Sequence, residues 1–78
     1  MTKTHELKCW PEYFNPVISG DKTFEIRKND RDFQVGDEII LREFDPKSGK
    51  YTGRKKHCTI TYITDYAQQN GYLVLSIS

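Results

Sequence analysis

The chain has 78 residues, 36% of them hydrophobic and 29% charged, and its twelve basic and eleven acidic side chains leave a formal charge of +1. That length supports one small core and excludes a second, so residues 1–78 are read as a single domain. Near-neutrality excludes a global attraction to nucleic acid or membrane and leaves only local clusters to supply one. No apolar run approaches the ~20 residues of a membrane helix, and Met1-Thr2-Lys3-Thr4-His5-Glu6 lacks the apolar stretch of a signal peptide. The expected location is therefore the cytoplasm.

His5 to Cys9 reads as a first strand, with Leu7 and Cys9 on one face and Glu6 and Lys8 on the other. Trp10-Pro11 breaks it, and Pro11 suits the first turn of a helix, where its missing N–H would be unpaired anyway. Phe14, Val17 and Ile18 form an i, i+3, i+4 stripe flanked by Tyr13. Pro16 requires a helix that begins late or one that kinks. Gly20 is expected as a left-handed cap that turns the chain into a second strand. In that strand alternation sends Phe24 and Ile26 toward the core, and Thr23, Glu25 and Arg27 to the opposite face.

The run Lys28-Asn29-Asp30-Arg31-Asp32 is too hydrophilic for core and reads as a loop, ending at Phe33, Val35 and a turn at Gly36-Asp37. Glu38 to Phe44 is a third strand, apolar on both faces at Ile39-Ile40-Leu41. Asp45 to Gly49 carries turn chemistry. From Tyr51 a fourth strand sets Cys58, Ile60 and Tyr62 against His57, Thr59 and Thr61. After a loop at Asp65–Gly71, with room for one helical turn, Tyr72 to Ser78 closes the chain with Leu73, Leu75 and Ile77 inward. Five or six short strands and one helix predict a mainly β (α+β) domain, closed as a small barrel that hides its edges.

Cys9 and Cys58 could in principle pair, but in a reducing cytosol they read instead as small buried thiols or near-surface bystanders. A metal site joining them to His5 and His57 is disfavoured, because His57 and Cys58 diverge on neighbouring strand positions. No metal or other cofactor is expected.

Gly20-x-Lys22-x-x-Glu25-x-Arg27, directly after a short helix, resembles the G-x-K-x-x-E-x-R motif of the activating signal cointegrator homology (ASCH) domain. Phe33-Gln34-Val35-Gly36-Asp37 before an apolar strand is similar to that family too. His5-Glu6-Leu7-Lys8, Trp10-Pro11-Glu12-Tyr13-Phe14 and Phe24 to Arg31 look like a small bacterial and phage subgroup described as a domain of unknown function. The resemblance spans nearly the whole chain. It implies a PUA-like β-barrel and a cleft between helix and barrel, lined by the motif's Lys, Glu and Arg, that holds RNA or a nucleotide-like ligand. Some small ASCH proteins resemble acylcytidine amidohydrolases, and others ribonucleases. In the amidohydrolase branch a threonine stands where this chain has Glu25, and a downstream acid used there has no secure counterpart here.

On this reading Lys22, Glu25 and Arg27 form the site, with Lys8, Trp10, Thr23 and Lys28 around it. Lys22 offers a phosphate or carbonyl contact, against the alternative of a solvated turn lysine. Glu25 and Arg27 pair on one strand face. If the site is catalytic, Lys22 and Glu25 carry the chemistry. Trp10 is either a stacking face for a base or a core wedge under the helix. Lys28, Asn29 and Arg31 add donors that Asp30 and Asp32 partly cancel. Lys47, Lys50, Arg54, Lys55 and Lys56, with Tyr51 among them, make either a phosphate-tracking hairpin or a protected edge. The expected partner is RNA or a nucleotide-like ligand, with a nucleoside amidohydrolase, a ribonuclease or a protein-interaction module as the alternatives.

Overall fold

The structure, a computed structural model, describes residues 2–78. The element order is β1 (Thr4–Cys9), α1 (Pro11–Ser19), β2 (Phe24–Lys28), β3 (Glu38–Asp45), β4 (Lys50–Thr64) and β5 (Tyr72–Ile77). It is a mainly β domain with one short helix. The strands form a single mixed sheet in the order β1-β3-β4-β5-β2, with β1 parallel to β3 and the other pairs antiparallel. The long β4 belongs to both halves: it pairs with β3 from Lys50 to Thr59 and with β5 from Ile60 to Thr64.

The expected closure is not made by backbone pairing. β1 and β2 are the two edges of the sheet, and among the described residues no ladder joins them. Both edges contribute residues to one cleft. We refer to the unpaired boundary between them as the seam.

The core is built as the alternation in β1, β3 and β5 requires. Leu7, Cys9, Ile39, Leu41, Leu75 and Ile77 are buried, joined by Phe14 and Val17 from α1, Phe33 from the loop, and Cys58 and Ile60 from β4. Removing these side chains from water is the main stabilising term for so small a domain. The helix packs against β3. It starts at Pro11, so Pro16 lies in its interior rather than in its first turn. There Pro16 deprives the Glu12 carbonyl of its intrahelical donor, on the exposed side of the helix. Ile18, expected in the apolar stripe, is half exposed.

Two further expectations are reversed. In β2 the interior residue is Glu25, 4% exposed, whereas Phe24 and Ile26 are 42% and 50% exposed. The strand is thus turned over relative to its hydrophobic pattern, for a reason that lies in the pairing of Glu25 described below. In β4 the alternation fails after Ile60, where the β4–β5 register shifts between Ile60 and Tyr62. A bulge changes which residues face inward, so Tyr62 is exposed and Ile63 packs on the core instead. The Asp65–Gly71 segment consists of turns and carries no helical turn. No helix among the described residues is long and apolar enough to cross a membrane.

Candidate functional site

The cleft at the seam has a volume of about 590 Å³. Lys8, Cys9 and Trp10 enter from the end of β1, Tyr13 from α1, Lys22 from the turn, and Phe24 to Arg27 from β2. Local structure explains why they converge. Trp10 is the N-cap residue, extended at φ −70° and ψ 152°, and its carbonyl accepts the N–H groups of Tyr13 and Phe14 at 3.0 and 2.9 Å. That geometry leaves the indole at the cleft mouth, 45% exposed, so Trp10 is not a wedge in the core. At the other end Gly20 takes φ +86°, a left-handed conformation that favours glycine. The chain then doubles back, and the Lys22 N–H donates to the Pro16 carbonyl at 3.0 Å, which fixes where the lysine leaves the helix.

At the floor Glu25 joins two cations. Lys22 Nζ donates to Glu25 Oε1 at 2.7 Å, and Arg27 Nε donates to Oε2 at 3.1 Å. Arg27 Nη2 reaches across the seam and donates to the Lys8 carbonyl at 2.8 Å. The carboxylate side chain is 5% exposed, against 18% for Lys22 and 26% for Arg27. A buried carboxylate is tolerable only when paired and hydrogen-bonded, and here both oxygens are occupied. This pairing is what allows a charged residue to take the inward position of β2. The three groups sum to one positive charge, with the remaining donors of Lys22 and Arg27 available to a ligand.

Aromatic rings frame this floor. Lys22 Nζ lies 5.4 Å from the ring centroids of both Tyr13 and Phe24, within cation–π range. Tyr13, Phe24 and Ile26 were not among the expected site residues: the helical stripe placed Tyr13 at its flank, and alternation assigned the other two to the core. The available signal was the aromatic Trp10-Pro11-Glu12-Tyr13 block beside the charged motif.

Of the residues expected at the site, the structure brings together Lys8, Trp10, Lys22, Glu25 and Arg27. Thr23 and Lys28 are exposed and do not line the cleft. The Thr23 carbonyl instead accepts the Ile77 N–H at 3.0 Å, extending the pairing of β2 with β5. Buried under the cleft, the Cys9 thiol is pushed up to about 11, first by desolvation and then by the Glu25 carboxylate.

Another buried acid, on β3, is paired near α1. Glu43, 4% exposed, accepts the Thr52 hydroxyl at 2.6 Å and faces Arg54 Nε at 3.6 Å. Arg54 also donates to Asn15 Oδ1 at 3.0 Å and lies over the Phe14 ring. One member of the expected basic hairpin is therefore engaged in tying β4 to the helix.

A family model described as "Domain of unknown function (DUF3850)" matches residues 4–77. The chain is also 45% identical over 65 residues to a protein of Escherichia phage P2 described as "Uncharacterized 12.9 kDa protein in GpA 3'region". That match covers 83% of this chain and 58% of the phage protein, so the chain spans little more than half the length of this relative. With its core strands, its helix and all the cleft residues inside the matched span, the chain belongs to the DUF3850 domain family.

Proposed function

We propose that this domain is an ASCH-type, PUA-like module that binds RNA or a nucleotide in the cleft at the seam, in a cytoplasmic setting. The observation that carries the reading is the Lys22–Glu25–Arg27 cluster at the floor of an aromatic-walled cleft. Glu25 holds the two cations apart and oriented, so their free donors are preorganised for a phosphate or a base carbonyl. Trp10 and Tyr13 offer rings for stacking, which any base accepts on its π-face. The seam then corresponds to the place where a PUA-like barrel would come nearest to closing.

The same cluster is less suited to hydrolysis. Both Glu25 oxygens already accept strong hydrogen bonds, so a base role would require one of them to be given up first.

Trp10 is the chain's single tryptophan, so its fluorescence reports the cleft directly. Titration with nucleoside monophosphates and short single-stranded RNA should quench or shift that emission. Affinity should fall with salt, and Arg27→Ala or Lys22→Ala should weaken binding at least tenfold, roughly the loss of one charge-assisted hydrogen bond. Unaltered binding in both variants would remove the cleft from the function. Turnover of acylcytidine or RNA that disappears in Glu25→Gln would instead make the site catalytic.

A further inference from the structure

On the outer face of β1, β3 and β4 the sheet register sets three cations side by side. Lys8 is the partner of Arg42 in the parallel pair, and Arg42 is the partner of Lys55 in the antiparallel pair. Neighbouring strands lie about 4.8 Å apart, so the row spans roughly 10 Å. Like charges directly opposite one another destabilise a sheet. Among the described residues the only acid within ion-pair distance of the row is Glu6, 3.7 Å from Arg42 Nη1, and that pair is exposed and weak.

Neighbouring aromatic side chains contact two of these cations, Lys8 and Arg42, without neutralising them. Lys8 Nζ lies 4.3 Å from the centroid of the Phe44 ring, and the Arg42 guanidinium carbon 4.1 Å from that of Tyr51. Phe44 and Tyr51 meet edge to face at 5.2 Å. Stacking covers the flat face of a guanidinium and leaves its N–H edge free for an anion. Beside the row runs a groove of about 340 Å³ lined by Arg42, Tyr51, Gly53 and Lys55 among others. Gly53, which lies where the β3–β4 register shifts, takes φ +96°, a left-handed conformation that favours glycine.

One end of the row, Lys8, also lines the cleft at the seam. We infer that this outer face is a second nucleic-acid contact, along which the phosphates of a single strand continue from the cleft across β1, β3 and β4. The ligand class rests on the reading of the cleft above. Continuity with a cleft walled by individual rings favours a single strand over a duplex or an acidic protein segment, and a narrow row of cations tracks one backbone.

The experiment compares a labelled twelve-nucleotide single-stranded oligouridylate with uridine monophosphate over a salt series. It uses the unmodified chain, Arg42→Gln/Lys55→Gln, Arg42→Lys/Lys55→Arg, and Arg27→Ala. The double glutamine variant should weaken oligonucleotide binding roughly tenfold and flatten the log–log salt slope by about 1.4, the value for two phosphate contacts on a single strand. Mononucleotide binding should not change in that variant, and the charge-conserving pair should restore the slope. Arg27→Ala should weaken both ligands. An oligonucleotide affinity and slope unaltered by the double glutamine variant would overturn the inference. So would the absence of salt-dependent binding, or equal binding of a polyglutamate of the same length. Failure of the mononucleotide to bind, with the oligonucleotide still responding to Arg42 and Lys55, would remove the cleft reading and leave the outer face standing.

Discussion

At the floor of the cleft the energetics turn on one carboxylate. Glu25 is enclosed by Lys22 and Arg27, and its removal leaves two part-buried cations facing each other without a counter-charge. Breaking a fully buried pair costs about 3–5 kcal/mol; because both partners keep some exposure, we expect Glu25→Gln to cost about 2–3 kcal/mol. For a domain whose total stability is of order 10 kcal/mol or less, that is a large share. It should be visible as a lower urea midpoint, and an unchanged midpoint would show that the cluster contributes nothing net to folding. Cys9 provides a pH test of the same environment. Its thiol is raised from 9.0 to about 11 by burial and by Glu25. A group raised in the folded state favours folding while it stays protonated and loses that contribution as the unfolded thiol ionises. Stability should therefore fall between pH 9.0 and about 11, and less steeply in Cys9→Ala. At pH 8 neither buried thiol should react with a disulfide reagent until denaturant is added.

The elements differ in how plainly the sequence announces them. β1 and β5 carry alternation that agrees with their burial, since nothing in either competes with it. β2 has the same period and the opposite phase: pattern reasoning puts Phe24 and Ile26 inside, and only the pairing of Glu25 with two cations makes the reverse affordable. The Glu25–Arg27 pair was legible in the alternation of the strand, whereas Lys22 joined it only through the resemblance to the G-x-K-x-x-E-x-R motif, since a turn lysine by itself reads equally as solvated. β4 was legible up to Ile60 and lost beyond it, because a bulge depends on the partner strand rather than on the residues in the run. The latch between β1 and the turn before β3 could not be read at all. The His5 ring N–H donates to Asp37 Oδ2 at 2.8 Å across 32 positions, and the Lys3 and Gln34 backbone N–H groups donate to the same carboxylate at 3.1 Å each. The hydrogen bond from His5 holds the Asp37 carboxyl below its ordinary 3.8, with burial opposing it and the backbone donors assisting. A lowered acid contributes stability above its unfolded value and loses it as pH falls below 3.8. We expect Asp37→Asn to be less stable at neutral pH and to lose part of the acid dependence expected of the unmodified chain below pH 3.8. Parallel acid melts of the two proteins measure both effects.

Across the whole molecule, β4 is shared between two three-stranded halves, β1-β3-β4 and β4-β5-β2, whose outer strands face the seam without backbone pairing. Sheet edges carry unpaired N–H and C=O groups that need some other partner. At the seam the Arg27 guanidinium supplies one, reaching the Lys8 carbonyl from its anchor on Glu25. A single side chain thus ties the ligand cluster to the closure of the fold, and a contact between positions 19 apart is invisible to strand patterning. Arg27→Ala should therefore loosen β1 and β2 selectively. Hydrogen exchange followed by mass spectrometry should show faster exchange in peptides covering Thr4–Cys9 and Phe24–Lys28, and unchanged protection in the paired centre of β3 and β4. Arg27→Lys keeps the charge beside Glu25 but lacks the planar fork needed to hold Glu25 and the Lys8 carbonyl together. It should retain most of the stability and still exchange faster at the seam. Uniformly faster exchange in every strand would mean that Arg27 stabilises the domain as a whole, and would remove its specific role in joining the two edges. If the seam alone responds, and a nucleotide restores its protection in the unmodified chain but not in Arg27→Ala, ligand binding and closure of the sheet depend on the same guanidinium.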